Sequence, residues 1–387
     1  MKNVLIAAYY FPPYALVSAV RNTKFCKYLP QFGWKPWILT VDPDYYQGRI
    51  LSEVPPEVNK MKIHRIPFYR FPGAVAIVKL LFPLILIFYA LRHKRHIDGI
   101  LLSGSPFHPF LSSIILKGLL GIPTVLDFRD SWSQNYGYEG RQPASFAERY
   151  KRRFFGLIER ISIHFASCVT FATDVLLEEY SRLIPYHCNK YYTITNGYDP
   201  EDYISVEPIH LINSKTIILA GQFNIYTPEV VTGLMQALKF FPFLHFIYIG
   251  NEYRLIEKKA QAFENTTQVT TLPYLPYRKM IALIAGADYG LVTNGMVNGM
   301  GTKIFDYLAL KKPTLCFVPK GSVITKHFSG AKGVVICEAP HTLASIKKGV
   351  SSIFEVTSTV NDKMIKQFSR KECARKLAQI LQKASTG

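Results

Sequence analysis

The residues from Ala287 to Pro319 limit the possible folds more than any other stretch. Ala287–Val292 is a short apolar run of the kind that forms a strand buried in a parallel sheet. Gly299 and Gly301 then predict a turn that needs a permissive backbone, and a helix is expected from about Thr302. On that helix Ile304, Phe305, Leu308 and Ala309 share an apolar face, while Lys303 and Asp306 point the other way. Lys311-Lys312-Pro313 closes it, and Thr314–Val318 reads as the next strand. Free N–H groups in the first helical turn, together with the helix dipole, favour a negative charge there. A bound anion would also relieve Lys303, whose charge is badly placed for that dipole. The turn at Gly301, Thr302 and Lys303 is therefore a candidate diphosphate cradle, with Asp306 one turn deeper where a ribose would lie. An ordinary strand–helix corner carrying a Lys303–Asp306 pair at i,i+3 accounts for the same residues.

With 387 residues the chain fits two domains, each able to bury its own core, and 49% apolar residues exclude disorder. A net charge of +19 points to an acidic partner, which could be nucleic acid, anionic lipid or a phosphorylated small molecule. No nucleic-acid-binding module is recognisable, so nucleic acid is not an expected partner. The six cysteines are scattered without a C-x-x-C, as suits reduced thiols in a cytosolic protein. The opening MKNVLIAAYYFPP has too short an apolar run for a signal peptide and reads as a first strand. Asp42-Pro43-Asp44 is formally a D-x-D, yet carboxylates flanking a proline after a strand read as a turn, and no metal site is expected.

Along the first half, strands are expected at Val4–Ala8, Trp37–Val41, Ile97–Leu102, Pro123–Phe128, Ser167–Ala172 and Tyr191–Thr195. A helix from Ser18 carries Arg21 near its start. The loops Ser103–His108 and Asp127–Trp132 follow strand ends, where open α/β sheets bind ligands, which makes Ser105, His108, Arg129 and Asp130 candidates. Arg129 and Asp130 could equally pair with each other and peg their loop. Ala74–Leu91 is the most apolar stretch and is followed by Arg92-His93-Lys94-Arg95-His96. Its length approaches a membrane span, but Lys79 and Pro83 interrupt it, and the strand after it must rejoin the same sheet. A surface-docked segment, a plain buried helix and, against that topology, a true span remain as readings. Glu148–Ile163 mixes basic and aromatic residues, as either a helix lying on an anionic membrane or an ordinary solvated face would. The second half repeats the style with strands at Lys215–Ala220, Leu244–Ile249, Gln268–Leu272, Ala287–Val292, Thr314–Val318 and Gly333–Ile336. Ser369-x-x-Glu372 is a capping box opening a last helix.

G-T-K-I-F-D-Y-L-A-L-K-K-P resembles the donor motif of family 4 glycosyltransferases, in the bacterial surface-polysaccharide branch where it reads like S-K-L-F-E-Y-L-A-x-G-K-P. Y-Y-F-P-P near the start, D-F-R-D-x-W at Asp127–Trp132 and the turn N-G-Y-D-P at Asn196–Pro200 resemble the same branch. The resemblance runs from Val4 to Leu381. It implies a GT-B fold, with two Rossmann-like doubly wound domains facing a central cleft and a C-terminal helix crossing back. The implied division is an acceptor domain at 1–200, a donor domain at 201–365 and the returning helix at 366–387. The implied activity is a retaining, metal-independent and cofactor-free transfer of a sugar from a nucleotide-diphospho-sugar to a hydroxyl of a glycan or lipid-linked glycan. It would serve cell-surface polysaccharide or lipopolysaccharide synthesis. Carried onto this chain, Lys303, Arg129 and Asp130 are the catalytic candidates. Gly221, Gln222, Tyr274, Pro276, Asn298, Gly301, Thr302, Lys303 and Asp306 would hold the donor, and Arg21, Ser105, His108, Arg129 and Asp130 the acceptor. Apart from the resemblance, the apolar stretch Ala74–Leu91, the basic cluster Arg92–His96 beside it and the basic-aromatic run Tyr150–Arg160 lead us to expect a protein docked peripherally, through its first domain, on the anionic cytoplasmic face of the membrane.

The sequence also departs from the pattern. Tyr14-Ala15-Leu16-Val17 stands where relatives carry glycines, and Gln222 stands near the place of a phosphate-binding Arg or Lys. Asn298 replaces the first Glu of a paired-glutamate motif, and Asp306 holds the second position as the shorter acid. These departures keep a second class open: a relative without catalysis that binds sugar or nucleotide, or acts as a scaffold.

Overall fold

A computed structural model describes residues 1–14, 17–46, 54–134 and 146–386. Ala15 and Leu16, in the loop where relatives carry glycines, lie outside the described residues. The chain divides into two compact units, Met1–Asn196 with Arg370–Gly387, and Gly197–Ser369.

In the first unit, β1 (Lys2–Ala7), β2 (Trp34–Val41), β3 (Lys62–Ile66), β4 (Gly99–Ser103), β5 (Thr124–Phe128), β6 (Cys168–Phe171) and β7 (Tyr191–Thr193) form one sheet. Its order is β3-β2-β1-β4-β5-β6-β7, with every neighbouring pair parallel. Side chains alternate across the sheet. Leu5 and Ala7 enter one core with α2 (Ala74–Arg92), α3 (Ser112–Leu116), α4 (Phe146–Phe165) and α5 (Asp174–Leu183). Val4 and Ile6 enter the other, with α1 (Val17–Tyr28) and α13 (Arg370–Thr386), so the last helix of the chain packs in the first unit. Ala74, Val78, Phe82, Leu86 and Ala90 form the buried face of α2 at a spacing of four. The helix is buried on that side alone, because Leu80, Leu84 and Phe88 on the other are exposed. β3 is the strand that apolar patterning did not single out: K-I-H-R-I sits at the sheet edge and is half exposed.

The second unit is built the same way. Its strands are β8 (Lys215–Ala220), β9 (Leu244–Ile249), β10 (Val269–Leu272), β11 (Tyr289–Thr293), β12 (Thr314–Val318) and β13 (Val334–Glu338). They form a parallel sheet in the order β10-β9-β8-β11-β12-β13. Helices α6 (Pro228–Leu238), α7 (Tyr253–Ala262) and α11 (Leu343–Phe354) cover one face of that sheet. The other crossovers carry α8 (Tyr277–Gly286), α9 (Lys303–Ala309) and α10 (Val323–Phe328), and α12 (Asp362–Lys366) follows α11. The entering and leaving segments of this unit run side by side, since Tyr198 N–H donates to the Phe368 carbonyl at 3.2 Å and Tyr198 bridges Ser369. A Cβ on Gly197 would lie 1.7 Å from that carbonyl oxygen, so the approach requires glycine.

One ion pair ties the first unit together. Arg21 on α1 is fully buried and forks onto Asp127 at the end of β5, with Nε–Oδ2 at 3.0 Å and Nη2–Oδ1 at 2.9 Å. Its remaining donors reach the carbonyls of Ile194 and Thr195, both at 2.8 Å. Thr170 on β6 adds a hydroxyl to Asp127 at 2.8 Å. Arg21 is therefore a core residue with its guanidinium spent inside the unit. That corrects its expected place among the acceptor contacts.

Removing either partner leaves a buried charge alone, so Asp127→Asn and Arg21→Met should each cost about 3–5 kcal/mol in urea unfolding at neutral pH. Burial by itself would raise the Asp127 carboxyl, but Arg21 and Thr170 outweigh it and hold the carboxyl below its ordinary value. The pair's contribution is then complete above the unfolded carboxylate range near about pH 4 and is lost as pH falls through the lower folded value. Unfolding followed down an acid series should show a flatter acid limb in Asp127→Asn than in the parent.

Candidate functional site

The donor-site candidates gather at the carboxyl end of the second sheet. Beyond β11 the chain turns through Asn294–Thr302, held from within by Asn294, whose amide donates to the Gly299 carbonyl and whose oxygen accepts from Met296 N–H at 3.0 Å. Neither Gly299 nor Gly301 has a positive φ, which corrects the expectation that this turn needs unusual backbone angles. Gly301 has no atom within 4 Å of its missing Cβ, so the loop is open there. Thr302 begins α9 without a side-chain cap, which leaves the first-turn amides without that partner. Gly295 lies against the Tyr226 backbone, bringing this loop onto the one that follows β8.

Asp306 is buried and already engaged. Its Oδ1 accepts from the Tyr203 hydroxyl at 2.5 Å and the Tyr277 hydroxyl at 3.0 Å, and its Oδ2 from Lys303 Nζ at 3.1 Å. The i,i+3 pair that the sequence permits is thus formed. Burial first, and then the Asp306 charge, push both tyrosines well above their ordinary value, so each hydroxyl keeps its proton as a donor. A carboxylate offers about four lone-pair positions and an ammonium three N–H donors. Three protein donors on Asp306 leave about one position for a ligand hydroxyl, and one bond from Lys303 leaves about two N–H for an anion. Tyr277 opens α8 directly after Pro276, which with exposed Tyr274 places the expected base-side turn next to this cluster.

At the turn after β8, Gly221 has φ 133° and Gln222 is exposed. The amides of Phe223, Asn224 and Ile225 are not open to a phosphate. Glu252 accepts from all three, at 2.5, 3.1 and 3.1 Å. A carboxylate stands where a phosphate-binding base was looked for, and sequence reasoning missed it. Asn298 is half-buried within its loop.

In the first unit the two loops that carry Ser105, His108, Arg129 and Asp130 come together, and Arg21 is not on either of them. Arg129 Nη2 donates to the Gly104 carbonyl and, at 3.1 Å, to that of Ser105, joining the loops after β4 and β5. Burial pulls its guanidinium down to about 10 against the opposing effect of Asp127 and Asp130, so it remains charged near neutrality. Asp130 and Ser105 are exposed beside it. The His108 ring lies edge-on to Tyr9 with centroids 6.3 Å apart, and burial, then Lys79, lower its pKa to about 4, leaving a neutral imidazole. Among the buried polar atoms that find no partner in the described residues are Arg129 Nε, His108 Nε2 and the Tyr9 hydroxyl. These three sit on loops at strand ends, where a polar ligand or water would satisfy them.

The loop carrying Arg129 and Asp130 is anchored by a buried carboxylate. Glu159 on α4 accepts from the Ser133 and Tyr180 hydroxyls, and Tyr180 accepts from Trp132 N–H at 3.0 Å. Glu159 falls four residues from both Phe155 and Ile163. An acid at that position of an otherwise apolar stripe was the available signal.

No protein-family model matches the chain, and no curated protein matches it in sequence. Solved structures do match it along its whole length. Sucrose-phosphate synthase from Thermosynechococcus elongatus superposes with a TM-score of 0.64 at 12% identity, covering 98% of this chain and 95% of that one. HepE from Anabaena, in complex with UDP and glucose, gives 0.65 at 10%, covering 99% and 100%. WaaG, a glycosyltransferase involved in lipopolysaccharide biosynthesis, gives 0.60 at 11%, covering 99% and 98%. With its two parallel sheets of seven and six strands, the chain has the GT-B fold.

Tyr203→Phe removes the shorter of the two phenol bonds and leaves a buried carboxylate oxygen short of a donor. The loss should be about 1–3 kcal/mol, read as a lower urea midpoint with unchanged slope.

Proposed function

We propose that the protein transfers a sugar from a nucleotide-diphospho-sugar to a hydroxyl of a glycan or lipid-linked glycan, in cell-surface polysaccharide or lipopolysaccharide synthesis. The observation that carries this reading is the open, uncapped start of α9, with Lys303 and Asp306 in its first turn, in a chain of GT-B fold. In that reading the amides at Gly301, Thr302 and Lys303 and the two spare N–H of Lys303 stabilise the departing diphosphate. Asp306 accepts one ribose hydroxyl while its tyrosines stay in place. Tyr274 and Pro276 border the base. On the first unit, the unpartnered Nε of Arg129, neutral His108, Ser105 and exposed Asp130 meet the acceptor. Transfer with retention and without a metal or other cofactor belongs to the same proposal. So does the placing of the diphosphate at α9 instead of the β8 turn, where Glu252 already fills the amides. That filled turn, with Gln222 beside it, also favours a second reading: a relative that binds sugar or nucleotide, or acts as a scaffold, without transfer.

Thermal stabilisation by UDP, GDP, ADP and their sugars identifies the donor, because a ligand of the folded state alone raises the melting temperature. Asp306→Ala should then weaken nucleotide binding by about 1.5–3 kcal/mol through the loss of charge-assisted bonds. Lys303→Ala should lower turnover more than nucleoside affinity, since its charge acts as the diphosphate leaves. Unchanged affinity and turnover in both variants would remove α9 from the site. Tight nucleotide binding with neither transfer nor donor hydrolysis would select the second reading.

A further inference from the structure

α2, α3 and α4 lie side by side on one face of the first sheet, with α3 packed between its neighbours. Their inner sides fill the core. Their outer sides carry large apolar residues that nothing in the unit covers: Leu80, Leu84 and Phe88 on α2 are 73%, 60% and 67% exposed, and Tyr150, Phe154 and Leu157 on α4 are exposed as well. Basic residues surround them, with Arg92, Lys94 and Arg95 at the end of α2 and Lys151, Arg153 and Arg160 on α4, all exposed. α2 has no acidic residue, and the two acids of α4 are Glu148 and the inward-turned Glu159.

We propose that this outer face seats the first unit on an anionic lipid bilayer, with α2 lying in the interface plane. By length and composition α2 could cross a membrane. It does not, because its Ala74–Ala90 face is part of the sheet's core and both flanking strands belong to that sheet. A helix of 19 residues is about 28 Å long, and its apolar stripe runs most of that length, a shape suited to lying in the headgroup boundary. Charge selects the occupant. A second copy placed on this face by two-fold symmetry would bring like basic clusters together, whereas an anionic surface complements them and matches the chain's net charge of +19. The inference stands apart from the transfer reaction, because vesicle binding requires neither donor nor acceptor.

The test uses the full chain with phosphatidylcholine vesicles containing increasing phosphatidylglycerol, read by co-sedimentation, with circular dichroism to confirm that each variant is folded. Partitioning should rise with the anionic fraction. The triple variant Arg92→Glu, Lys94→Glu, Arg95→Glu should lose about a hundredfold or more, since each basic residue near such a surface adds about fivefold. Leu84→Asp with Phe88→Asp should lose about tenfold or more while every basic residue remains. In Leu84→Trp, indole emission should shift to the blue on binding and be quenched by brominated acyl chains. Indifference to both neutral and anionic vesicles would overturn the proposal. So would binding that survives the two aspartates with an unshifted indole, which would mean charge contact without seating of α2. A lipid-free dimer abolished by the same aspartates, with no vesicle binding, would assign the face to self-association instead.

Discussion

The buried fork between Arg21 and Asp127 is the constraint on which the first unit depends. It joins the first crossover helix to a central strand, and through the carbonyls of Ile194 and Thr195 it fixes the last residues before the chain leaves that unit. A buried pair of this kind is poor in net stability but intolerant of change, because neither charge can be buried without the other. It also sets geometry. Asp127 is held from two sides, so the next residues, Arg129 and Asp130, emerge from a fixed point. Glu159 then clamps the chain just beyond them through Ser133 and Tyr180. Arg129 and Asp130 thus stand on a segment held on either side, at Asp127 and at Ser133, by buried carboxylates.

A related pattern governs the second unit, where the charged groups of the candidate site already have partners. Asp306 is held by two phenols and Lys303, and Glu252 fills three loop amides. Such a site is preorganised but not vacant. A ligand gains only the difference between its contacts and those it shares or replaces, so affinity falls short of what the contacts alone suggest. Lys303 and Asp306 each keep unused hydrogen-bonding capacity and can serve a ligand without parting. The amides of Phe223–Ile225 cannot serve an anion unless Glu252 leaves.

The alternation of apolar strands and helices was readable directly, because strands buried in parallel sheets are almost wholly apolar and cannot be mistaken for loops. β3 escaped because an edge strand shields only part of its surface, and its Lys62, His64 and Arg65 hide the pattern. The stretch Ala74–Leu91 was legible as apolar. Which side of it faced the core depended on the sheet it packs against. The site was less legible. Its loops could be placed from strand ends alone, but partners lying 106 residues apart, as Arg21 and Asp127 do, leave no local trace. Arg21 read as a ligand contact only through the family resemblance, and nothing local in the sequence spoke against it. Tyr203, Tyr277 and Glu252 were invisible for the same reason, since each draws its importance from a neighbour that only the fold supplies.

The first unit is not continuous in sequence, and this affects how the protein is made. Its last helix, α13, is translated only after the whole of the second unit. Until then the sheet face formed by Val4, Ile6 and Ile38 lacks the cover of Ala374, Leu377 and Leu381. A nascent chain therefore carries an open apolar surface through the synthesis of about 170 residues, long enough at ordinary elongation rates to call for chaperones. The second unit, entered at Gly197 and left at Ser369, suffers no such delay and can close as soon as its own last helices, α11 and α12, emerge. Order of completion is thus the reverse of order of synthesis: the part begun first is finished last.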